Sequence, residues 1–239
     1  SYQCPINRNN GDGTFTNVTS SINLHQANNY YEKIYINDFD NDGDFDVFHG
    51  NMHAVNKDGR AKLWENLDGE FGSYAQNAAN YGINIGNSSG DNYINSEWFD
   101  YDNDGDLDLF IQKGIMYTTT NTCYLMENNL NNGNNYLRIK LVGCSSPKDG
   151  RGSKVTVVTN GKRLTQYFNE RINNHFSDIF HFGVGTISTV DSVIVYWPSG
   201  NVTGLTSVDS NQFITVYEDE NCNGSGNGSG NGDSCLIAD

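Results

Sequence analysis

An all-β chain is predicted by three observations: strand–loop–strand units that recur in the first half, period-two alternation of β-branched and aromatic residues in the second, and abundant turn-formers. The 239 residues include 36 Asn and 26 Gly but only 3 Pro and 3 Met. Short polar side chains that tolerate left-handed backbone favour tight turns, and many turns imply many short strands. Aromatic residues reach 12%, more than a disordered chain carries, and the length suits one large or two small domains.

Charge narrows the function. With 29 Asp plus Glu against 14 Lys plus Arg the formal charge is -15, a field that repels phosphate backbones and argues against nucleic acid as a partner. No segment approaches the roughly 18 apolar residues of a spanning helix, so no membrane span is expected. The opening at Ser1 lacks a charged start and apolar segment, and we read the chain as an already processed product. Five Cys without a CxxC pair or zinc-type spacing suit an oxidising, extracellular setting.

The elements follow in order. A turn at Asn9-Asn10-Gly11-Asp12-Gly13-Thr14-Phe15 is echoed at Glu65-Asn66-Leu67-Asp68-Gly69-Glu70-Phe71. An aromatic-rich strand at 30–36 leads into Asn37-Asp38-Phe39-Asp40-Asn41-Asp42-Gly43-Asp44-Phe45-Asp46-Val47-Phe48. A second such strand at 93–98 leads, 62 residues later, into Phe99-Asp100-Tyr101-Asp102-Asn103-Asp104-Gly105-Asp106-Leu107-Asp108-Leu109-Phe110. Each copy reads as strand, loop, strand, and residues 1–135 hold two repeats. Longer strands begin at Tyr136 and recur at 153–158, 163–168, 192–197 and 213–217, with hairpin turns at Asn160-Gly161 and Ser199-Gly200, so 136–218 is expected to be an antiparallel β domain. Residues 219–239 read as a Gly/Ser/Asn-rich tail bracketed by Cys222 and Cys235.

The spacing Asp-x-Asp-x-Asp-Gly-x-x-Asp carries chemistry. Hard cations take about six to eight oxygens, and alternate residues of a tight loop point inward. Asp38, Asp40 and Asp42 supply side chains, Gly43 permits the turn, Asp44 offers its carbonyl and Asp46 closes the shell. Asp100, Asp102, Asp104, Gly105, Asp106 and Asp108 take the same roles in the second copy. Five carboxylates within nine residues repel one another unless a cation is bound. An EF-hand would need Glu at loop position 12, where this chain has His49 and Ile111, so the loops are expected between strands. Two structural Ca2+ sites are expected.

These loops, with the segment Asn9 to Thr19, resemble the FG-GAP or VCBS repeat, a calcium-binding β-propeller blade unit. Gly150-Arg151-Gly152-Ser153-Lys154-Val155, His181-Phe182-Gly183-Val184-Gly185 and Trp197-Pro198-Ser199-Gly200 resemble the ASPIC/UnbV module, which follows such repeats in cartilage acidic protein and its bacterial relatives. The resemblance implies an all-β fold with two blade units, an incomplete propeller, and a C-terminal antiparallel β domain. Propellers of this kind close with about seven blades, so two blades leave sheet edges ready to pair. A capping domain, a neighbouring subunit or a longer parent protein would each cover them.

Other residues support no catalytic site. His49 and His53 are spaced for a helix that the region does not suggest, and His181 reads as a packed, hydrogen-bonded strand residue. Gly224-Ser225-Gly226 and Gly228-Ser229-Gly230 lack the strand–helix context of a nucleophile elbow. Glu97 and Glu170 stand as isolated carboxylates, and Trp98 and Trp197 read as core rather than as sugar platforms. The favoured bridges are Cys222–Cys235 and Cys123–Cys144, leaving Cys4 over. The sequence thus points to a non-enzymatic, extracellular, calcium-stabilised structural protein, secreted or at the cell surface, that self-associates as a homo-oligomer or filament. A calcium-dependent adhesin that takes glycans or surface proteins is the alternative, followed by a secreted polysaccharide-degrading enzyme.

Overall fold

Among the described residues, ten strands occupy the first part of the chain: β1 (Asn7–Asn9), β2 (Phe15–Asn17), β3 (Ile34–Asn37), β4 (Asp46–His49), β5 (Lys62–Trp64), β6 (Asn66–Leu67), β7 (Glu70–Phe71), β8 (Asp91–Phe99), β9 (Asp108–Ile115) and β10 (Asn121–Met126). The computed structural model describes residues 7–19, 34–49, 62–67, 70, 71, 81, 83, 91–115, 121–168, 178–223, 237 and 238. Two compact units result, one of residues 1–39, 44–98 and 108–128, the other of 40–43, 99–107 and 129–239. The fold is all-β, with several antiparallel sheets.

In the first unit the repeat is visible as two three-stranded sheets, ordered β3-β4-β5 and β8-β9-β10. An acidic loop joins the first strand to the second in each sheet. Val47, Phe48, Leu63 and Trp64 of one sheet and Trp98, Leu109 and Ile111 of the other are buried. The Trp98 ring meets Phe48 edge-on at 5.5 Å, and Phe39 meets Tyr81 edge-on at 5.1 Å, arrangements that the ring quadrupole favours. The backbone N–H of Ser96 on β8 donates to the Tyr35 hydroxyl on β3. A small hairpin, β1 with β2, turns through Gly11 and Gly13.

The second unit carries β11 (Asn135–Val142), β12 (Lys154–Thr159), β13 (Lys162–Tyr167), β14 (Ile179–Gly185), β15 (Thr189–Tyr196), β16 (Val202–Asp209), β17 (Gln212–Tyr217) and β18 (Ile237–Ala238). They form two four-stranded sheets, β14-β11-β17-β18 and β13-β12-β15-β16, whose inward residues share one core: Leu137, Ile139, Val155, Val157, Phe182, Val193, Val195 and Ile214 among others. Asn160 and Gly161 both have positive φ, 48° and 76°, the backbone that a two-residue hairpin loop of the right twist requires. Antiparallel pairing was expected throughout, but β11 pairs with β17 in parallel. The strands between them provide the long crossover that a parallel pair needs.

That pairing also corrects the cysteine assignment. Because β11 and β17 run side by side, the residues that follow them emerge together, and Cys144 bonds to Cys222 across a Cα–Cα distance of 5.5 Å. Neither Cys222–Cys235 nor Cys123–Cys144 forms: Cys123 is free and exposed on β10, while Cys4 and Cys235 lie outside the described residues, as do His25, His53, His175 and Glu170. Glu218, just past β17, holds the same corner together. Its Oε2 accepts the backbone N–H groups of Cys144, Ser145 and Ser146 at 2.7–2.8 Å. Its Oε1 accepts the hydroxyls of Ser146 and Ser199 and the amide of Asn201.

Candidate metal centre

Each acidic loop turns on the same backbone device. Asn41 and Asn103, fourth in their loops, are left-handed at φ 61° and 65°, and Gly43 and Gly105, sixth, at 87° and 96°. Asn tolerates this region and Gly occupies it freely, so alternate carboxylates are turned to one side. Ligand oxygens of Asp38, Asp40 and Asp42 lie within 4.8 Å of one another, as do those of Asp100, Asp102 and Asp108.

The remaining predicted ligands are placed differently. Asp46, buried at the start of β4, uses Oδ2 to accept the N–H of Phe39 and Oδ1 to accept that of Asn66. Asp108 Oδ1 likewise accepts the N–H of Asn128. The 62-residue offset that relates Asp46 to Asp108 also relates Asn66 to Asn128, so the closing aspartate of each loop holds the backbone just past the third strand of its sheet. Asp106 Oδ1 accepts from the Asn41 amide, and Asp104 Oδ1 accepts the N–H of Asp106. The carboxylates of Asp46 and Asp104 are not members of the three-carboxylate groups, and neither are those of Asp44 and Asp106, whose expected ligand atom is the backbone carbonyl.

Asp100 is the informative ligand. Its side chain is 1% exposed, with Oδ2 2.7 Å from Arg138 Nη1 and 3.0 Å from the N–H of Gly105. Oδ1 is buried with no hydrogen-bond partner, a costly state for a carboxylate oxygen. Burial raises the carboxyl of Asp100 above its ordinary pKa, against the opposing pull of Arg138 and the Gly105 N–H. A hard cation held by Asp100, Asp102 and Asp108 would satisfy that oxygen, and an all-carboxylate donor set suits calcium.

Sequence reasoning missed the groups that seat the loops. Asn41, 1% exposed, donates through Nδ2 to the Gly105 carbonyl, sits with Oδ1 2.7 Å from His181 Nε2, and offers its backbone carbonyl to the N–H of Gly185. Asn132 and Asn134 both donate to the Asp40 carbonyl. At Gly105 a Cβ would fall 1.7 Å from the Tyr136 ring, so glycine is needed there for space as well as for φ. His181 is the packed, hydrogen-bonded strand residue expected, stacked on Tyr136 at 6.1 Å. The one available signal was that both loops place Asn at position four.

Residues 143–223 match the family described as ASPIC and UnbV. This is the stretch from the end of β11 to the Cys222 turn. A search of curated proteins finds no match to the chain. The matched stretch contains the Trp197-Pro198-Ser199-Gly200 hairpin, where Gly200 has φ 95° and the Trp197 indole donates to the Thr203 hydroxyl. The bridge between Cys144 and Cys222 lies at its two limits. No helix among the described residues is long and apolar enough to cross a membrane.

Proposed function

We propose that the chain is an extracellular, non-enzymatic structural protein, stabilised by two calcium ions, whose N-terminal repeats are FG-GAP/VCBS-type blade units that self-associate through their edges. The observation that carries this reading is the partnerless, buried Oδ1 of Asp100 beside Asp102 and Asp108. Strand edges support self-association: β3 pairs only with β4 among the described residues, and its Ile34 and Ile36 are exposed. Exposed apolar edge residues are a template for another chain. If subunits add head to tail without closing a ring, a filament results. The disulfide is compatible with secretion.

A second reading, a calcium-dependent adhesin, draws on a row across the second unit in which Lys154 lies between Tyr167 and Tyr196. Tyr167 is 67% exposed and could present a ring face to a sugar. Negative-stain electron microscopy and sedimentation of purified protein, with calcium and after chelation, test the first reading. Ordered polymers that dissolve on chelation are expected. Monomers in both conditions, with glycan binding, would replace it by the adhesin, and polysaccharide turnover lost on Glu97 or Glu170 substitution would replace it by an enzyme.

A further inference from the structure

Arg138 on β11 and His181 on β14 face each other across the strand pair. Each grips the fourth residue of a different acidic loop: His181 meets Asn41, and Arg138 Nη1 donates to Asn103 Oδ1 at 3.1 Å. Arg138 does more than its neighbour. The same Nη1 lies 2.7 Å from Asp100 Oδ2, on the carboxylate whose other oxygen has no partner. The arginine is itself buried, with Phe213 beneath its guanidinium at 5.4 Å, and it cannot swing away without stranding a desolvated charge.

We propose that Arg138 is a resident counter-cation that competes with calcium for Asp100 and thereby sets the calcium concentration at which the second loop fills. This rests on the calcium reading above. A guanidinium and a divalent ion on one carboxylate repel in a site with little solvent to screen them. That repulsion outweighs the modest entropy saved by holding one short carboxylate in place. Without metal, the arginine neutralises Asp100 and pins Asn103, so the loop keeps its shape. With metal, the ion must share Asp100 with a positive charge already there.

The test is calorimetric calcium titration of the full chain in an Asp40→Asn, Asp42→Asn background, which silences the first loop. Arg138→Met and Arg138→Gln should each bind calcium about tenfold more tightly than that parent. Their metal-free melting temperatures should fall, and saturating calcium should restore most of the loss. Arg138→Gln keeps a hydrogen-bond donor toward Asn103 and decides the matter if Arg138→Met does not fold. Unchanged or weaker calcium binding by a folded Arg138 variant, with binding by the parent intact, overturns this inference alone. Absence of calcium binding by the unsubstituted protein overturns the calcium reading and this inference with it.

Discussion

Glu218 shows how one side chain can fix a corner of the fold. Burial alone would raise the pKa of its carboxyl, but hydrogen bonds from Ser199, the Ser146 hydroxyl and the N–H groups of Cys144 and Ser146 favour the anion and lower its pKa from 4.5 to about 2. A depressed carboxyl contributes stability that is present above pH 4.5 and is lost as pH falls through about 2. In Glu218→Gln the amide can accept through only one oxygen, so some of the donors that face it are stranded. We expect a loss on the order of 2 kcal/mol near neutral pH, because hydrogen bonds to charge are the strong ones. The melting temperature of the variant should also fall less steeply than the parent's between pH 4.5 and 2. Parallel acid limbs in a pH series of thermal melts would show that the carboxylate is not what holds the corner.

At the scale of elements, the parallel pairing of β11 with β17 decides the cross-link. Cys144 and Cys222 close a span of 78 residues, and a loop of that length removes about 4 kcal/mol of chain entropy from the unfolded state on the loop-closure account. Cys144→Ser should therefore lower the melting transition of the C-terminal domain by roughly 20 °C, whereas Cys123→Ser should leave it unchanged. Peptide mapping of the native protein should recover Cys144 joined to Cys222, and recovery of Cys144 joined to Cys123 would overturn the assignment. The sequence could not have supplied this bridge. Alternation made β11, β12, β15 and β17 legible, and Asn160-Gly161 made the β12–β13 turn legible, because strand period and turn chemistry are local. Which strand lies beside β11 is set by packing of the whole core, which no local signal encodes. The acidic loops were legible for the same local reason, while their seat on Tyr136, Arg138 and His181 depends on residues 31–140 positions away.

For the molecule as a whole, ten of the 29 acidic residues fall in two nine-residue loops, so folding concentrates like charge that the unfolded chain spreads out. Two bound calcium ions would bring the formal charge from -15 to -11, since each adds two positive charges, and would place that charge where the density is greatest. Salt can do part of the same work from outside. At about 0.15 M the screening length is roughly 8 Å, short enough to weaken repulsion between the exposed carboxylates of a loop but ineffective at a buried oxygen such as Asp100 Oδ1. Metal binding and folding are coupled whenever the site forms only in the folded chain. Chelation should therefore lower the melting temperature, and sodium chloride should recover only part of the loss. The calcium-loaded protein should respond weakly to the same salt because its loops are already neutralised. Differential scanning calorimetry across a sodium chloride series, with calcium and with chelator, separates these effects. Identical salt slopes in the two forms would mean that the loops hold no ion, and full recovery by salt alone would mean that the ion acts only by screening.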